Sequence, residues 1–123
     1  MKIYRNLAEA VSVALKEIFI ENRYADKVIE RALKQNPKWG ARDRKFIAET
    51  TYEMVRWWRL LKEISDCKKE ISSYSVEDFW NLFGAFLVIH HMEIPAWDEL
   101  NNTDRDKILS RLEEVKSIRK IRE

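Results

Sequence analysis

The chain has 123 residues, 46% hydrophobic and 36% charged, with a formal net charge of +2. That length fits one domain with one core, and no apolar run approaches the ~20 residues of a membrane span. Two Gly and two Pro are too few for the turns of a sandwich or barrel or for a glycine-rich phosphate loop, so an all-α bundle is expected.

The opening Met1-Lys2-Ile3-Tyr4-Arg5 passes straight into an amphipathic pattern without a signal-peptide core. With the lone Cys67, which cannot form an internal disulfide, this predicts a cytoplasmic protein. The first helix is expected from about Ile3 to Glu21, on Leu7, Val11, Ala14, Leu15, Ile18 and Phe19. A second follows from about Tyr24 to Gln35, and Asn36-Pro37 ends it because a residue before proline avoids the α region.

The third element reads as one long helix capped by Asp43 and running through Trp58 and Leu61. At about 100° per residue, Ile47, Met54, Val55, Trp58 and Leu61 share an apolar arc. Arg42, Lys45, Tyr52, Arg56 and Arg59 gather on the opposite side, and Arg44 falls near the edge of the packed arc.

Cys67 to Tyr74 is a polar, serine-bearing loop. Ser75 then caps a fourth helix, with Glu77 and Asp78 in its first turn and an end near His91. Its Phe79, Trp80, Leu82, Phe83, Phe86, Leu87 and Ile89 are apolar on nearly every side, which predicts a central, buried helix. Pro95 suits a short helix through Leu100, and Thr103-Asp104-Arg105-Asp106 opens the last one, with Ile108, Leu109, Leu112, Val115 and Ile118 facing inward.

Basicity is concentrated at the front: residues 1–62 carry 14 Lys/Arg against 8 Asp/Glu, and residues 63–123 carry 9 against 13. Clustered cations are what phosphate contacts draw on. Arg42, Lys45, Arg56 and Arg59 could track a nucleic-acid backbone along about 25 Å of helix, and Tyr52 could stack on an unpaired base. The plainer account is a solvated face, because Glu49 lies four residues after Lys45 and Glu53 three before Arg56. Trp58 belongs to the core, Trp39 suits a hydrophobic staple, and Trp57 lies at the arc's edge. His90 and His91 point about 100° apart, so a helix-end role is expected rather than a shared metal.

Arg5 with the apolar register behind it, Asp43-Arg44 followed by Phe46-Ile47, and Tyr52-x-x-Val55-Arg56 carry a resemblance. They are similar to the amino-terminal, NusB-fold domain of the Sun/Fmu (RsmB-type) ribosomal RNA cytosine-5 methyltransferases. The likeness covers about residues 3–62; beyond them only the helical rhythm and the charged last helix support it.

The resemblance implies a NusB-like bundle that binds ribosomal RNA ahead of a catalytic domain. Its RNA contacts would be Arg5, Arg42, Arg44, Lys45, Tyr52, Arg56 and Arg59, with no catalytic or metal-binding residue. No cofactor is expected in this chain, because S-adenosylmethionine would belong to the missing catalytic domain. Cys67 lies between Asp66 and Lys68 with no preceding proline, so the family's nucleophile does not transfer to it.

The partners implied are ribosomal RNA and the catalytic domain, with no membrane. Val115-Lys116-Ser117-Ile118-Arg119-Lys120-Ile121-Arg122-Glu123 is similar to the helix that leads into the catalytic half, so a piece of a longer protein is expected. Stand-alone NusB antitermination factors are similar in fold but carry an arginine-rich start, where this chain has only Lys2 and Arg5. That function is the first alternative, and a protein-docking module is the second.

Overall fold

A computed structural model describes residues 2–122, with side chains for residues 2–118. The described residues form six α-helices: α1 (Arg5–Phe19), α2 (Ala25–Gln35), α3 (Ala41–Arg56), α4 (Trp58–Ile64), α5 (Val76–Ile89) and α6 (Arg105–Arg122). No strand occurs among them, so the all-α expectation holds. None of these helices is long and apolar enough to cross a membrane. The side chains of Arg119 to Glu123, in the run likened to a linker helix, lie outside the described residues.

The chain packs as two joined groups. Helices α1, α2 and α3 pack on one another, α4, α5 and α6 do the same, and contacts of α1 with α5 and of α3 with α4 tie the groups together. As its all-round apolarity requires, α5 is central: Phe79, Trp80 and every residue from Leu82 to Val88 are buried. It starts with a reciprocal capping box, in which Ser75 Oγ accepts from the Asp78 N–H and the Asp78 carboxylate accepts from the Ser75 N–H at 2.7 Å.

The predicted long third helix is broken at Trp57, whose φ of −103° and ψ of 20° leave the α region. No Gly or Pro sits there. The packing partners change at that point, since α3 lies on α1 and α2 whereas α4 lies on α5 and α6. A straight helix would carry the apolar arc past the second group. The break lets Trp58 stack on Phe19 of α1 at 4.2 Å and meet Tyr74 and Phe79 at 6.1 Å each. Trp58 is 7% exposed, so its expected core role stands.

Other boundaries also move. The N-cap of α3 is Gly40, without a side-chain cap, so Asp43 is not the cap expected from sequence but a first-turn acid beside the free N–H groups. Pro95 does not open a helix; the chain stays irregular until a single 3-10 turn at Asp98–Leu100. The Cys67–Tyr74 loop contains one more such turn, at Ile71–Ser73.

The end of α5 forms a Schellman motif. The Met92 N–H donates to Leu87 O at 2.9 Å and the His91 N–H to Val88 O at 3.0 Å, with His91 left-handed at φ 56°. Arg105 Nη2 donates to Met92 O at 2.6 Å and fastens this turn to the start of α6.

Candidate nucleic-acid interface

Three-and-four spacing divides α3 into two sides. Phe46, Ile47, Thr50, Thr51 and Met54 are buried, whereas Arg42, Lys45, Glu49, Tyr52 and Arg56 are exposed. Among the described residues no carboxylate is ion-paired with Arg42, Lys45 or Arg59. Arg56 differs: its Nη1 lies 3.9 Å from Glu53 Oε1 and its guanidinium sits 5.2 Å over the Trp57 ring. The Trp57 indole donates to Glu53 Oε2 at 3.1 Å, so the helix break gathers Glu53, Arg56 and Trp57 into one cluster.

The other sequence candidates are engaged inside the molecule. Arg5 Nη2 donates to Glu99 Oε1 at 2.6 Å and its Nη1 reaches Glu9 Oε2 at 3.3 Å. That pairing clips the start of α1 to the turn before α6. Arg44, half-buried, donates through Nε to Trp39 O at 3.2 Å and braces the α2–α3 joint. Tyr52 donates its hydroxyl to Asp26 of α2, which pushes the phenol's pKa up and keeps it protonated, while the residue stays 44% exposed. The structure therefore brings Arg42, Lys45 and Arg56 onto one open face and leaves Arg59 beyond the break.

A groove of about 870 Å³ runs beside that face. One wall is α3, with Arg42, Lys45, Phe46, Glu49 and Thr50; the other is the end of α5, with Phe86 and His90, followed by Met92. The His90 ring packs on Phe86 with centroids 4.3 Å apart. At the N-terminal end of α3, Arg42 also lines a smaller crevice of about 140 Å³ with Lys2, Tyr4 and Phe46. Lys2 thus joins the basic end of the groove, its Nζ lying 5.4 Å over the Tyr4 ring.

Sequence periodicity does not single out the facing residues Phe86, His90 and Met92. Phe86 carries only a core signal, and its closeness to Lys45 depends on a contact some forty residues apart that periodicity does not encode. The open face is also less cationic than a wheel of its basic residues suggests, because Glu49 and Glu53 lie on it between Lys45 and Arg56.

No protein-family model, curated protein or solved structure matches this chain.

Proposed function

We propose that the chain is a NusB-like RNA-binding domain that holds ribosomal RNA for an S-adenosylmethionine-dependent cytosine-5 methyltransferase, without catalysing the reaction itself. The observation that carries the reading is the pair of exposed cations Arg42 and Lys45, free of carboxylate partners among the described residues, at the mouth of an apolar groove. Long cations on one helix face fix a phosphate backbone without reading sequence, and an adjacent apolar floor suits exposed bases. Arg56 and Arg59 extend the basic surface toward and past the break. Arg5, Arg44 and Tyr52 contribute mainly by holding the elements that present it.

The test is a titration of a small-subunit ribosomal RNA stem-loop with the parent and with Arg56→Glu/Arg59→Glu. Each contact to an unpaired strand that is removed should reduce the salt slope of binding by about 0.7, with the melting temperature nearly unchanged. Unaltered affinity in that folded variant would remove these two residues from the interface.

One observation favours a second reading, docking onto another protein or onto the catalytic half. Val13 of α1 and Val76 of α5 are 56% and 64% exposed and border one crevice of about 420 Å³. An apolar docking face would hold its partner with little salt dependence, the opposite of phosphate binding.

A further inference from the structure

Resting on the RNA-binding reading above, we infer that the groove between α3 and the end of α5 takes an unpaired base of single-stranded RNA and favours a base with an exocyclic amine. Phosphate contacts alone need no cavity. The groove's volume of about 870 Å³ falls within the range of small-molecule sites, which combine an apolar lining with a few polar groups.

Each part of the groove matches a part of a nucleotide. Arg42 and Lys45 stand at one end for the phosphates. Phe46 and Phe86, 8% and 6% exposed, form the floor, and the exposed His90 ring beside Phe86 offers a flat surface for stacking. Bases in a paired A-form helix are closed to such a groove, so only a looped or single strand can enter it.

The acidic residues supply the preference. Glu53 is occupied by the Trp57 indole and Arg56. Glu49 is exposed and has no ion-pair partner among the described residues. A free carboxylate opposes phosphate binding, but it accepts hydrogen bonds from the amine of cytosine or adenine and repels the O4 acceptor of uracil. The two pyrimidines therefore form a matched pair of probes, nearly identical in shape and opposite in polarity at that edge.

The experiment compares labelled eight-nucleotide oligo(C) and oligo(U) by fluorescence anisotropy at low salt, with the parent chain, Glu49→Gln and His90→Ala. Both substitutions lie at exposed positions, and thermal melts establish that the variants fold. The parent should bind oligo(C) about fivefold or more tighter than oligo(U). Glu49→Gln should narrow that ratio toward one, and His90→Ala should weaken both probes about fivefold or more. The Met92 methyl resonance should shift with oligo(C) and stay in place with a fully paired duplex.

Equal binding of both probes, unchanged in either variant, overturns the base groove but leaves the phosphate-binding reading standing; a protein occupying the groove would give this pattern. Failure of both oligonucleotides and the ribosomal stem-loop to bind at low salt overturns both readings.

Discussion

Gly84 lies in the buried middle of α5, where a methyl group has no room. A Cβ built there would sit 2.3 Å from Thr103 Oγ1, 3.0 Å from Cγ2 and 3.2 Å from Cβ. Rotation about χ1 can turn Oγ1 away but leaves the Thr103 Cβ at 3.2 Å, so Gly84→Ala presses the turn before α6 away from α5. Overpacking of this kind costs up to about 3 kcal/mol, and the better helix propensity of Ala returns about 1. The net is about 2 kcal/mol of destabilisation, which for a chain of 123 residues lowers the melting temperature by about 8 °C.

Calorimetry or far-UV circular dichroism melts read that shift directly. Thr103 Oγ1 is buried without a hydrogen-bond partner among the described residues, so Thr103→Ala alone should cost little. Gly84→Ala/Thr103→Ala should therefore recover at least half of the loss. A Gly84→Ala protein as stable as its parent, or a double variant no better than the single, would refute the proposed packing of α5 against the turn before α6.

Trp58→Ala should cost about 3–5 kcal/mol in urea unfolding, whereas Trp58→Phe should cost far less because the buried indole N–H has no partner to lose among the described residues. At Asp78, burial pushes the carboxyl up, but the Ser75 N–H, Lys69 and the Ser75 hydroxyl together hold it below the usual carboxylate range. Its folded value is depressed, so its contribution is fully present above the ordinary value near 4 and is lost as pH falls through the folded one. Asp78→Asn should accordingly be less stable than its parent by roughly 1 kcal/mol at neutral pH, with the gap closing below about pH 4 in melts across pH. His91→Gly should raise stability by about 0.5–1 kcal/mol, because glycine takes the left-handed position of the Schellman turn without a Cβ penalty; a lower melting temperature would contradict that.

Where local chemistry decides, the sequence was legible. Ser75 and Asp78 spell the start of α5, Asn36-Pro37 the end of α2, three-and-four spacing the buried faces of α1 and α3, and all-round apolarity the central place of α5. The break at Trp57 was not, because nothing local enforces it: Trp57 and Trp58 are both tolerated in a helix, and the turn arises from a change of packing partner between two helix groups. Asp43 has the chemistry of a cap, but α3 begins earlier, at Ala41, and the extended backbone of its N-cap Gly40 sets the entry without a side-chain oxygen. At the candidate site, exposure of Arg42, Lys45, Arg56 and Arg59 followed from the wheel. The internal partners of Arg5, Arg44 and Tyr52 did not, since Glu99, the Trp39 carbonyl and Asp26 are brought to them by tertiary packing or by the joint between helices.

The most direct test of the RNA-binding account is fluorescence anisotropy of a labelled small-subunit ribosomal RNA stem-loop at 50 and 200 mM salt. Four contacts, from Arg42, Lys45, Arg56 and Arg59, to an unpaired strand imply a slope near −3 and a loss of roughly 50-fold in affinity across that range. Saturable binding with that salt dependence is the predicted result; no binding at 50 mM, or binding indifferent to salt, would contradict it.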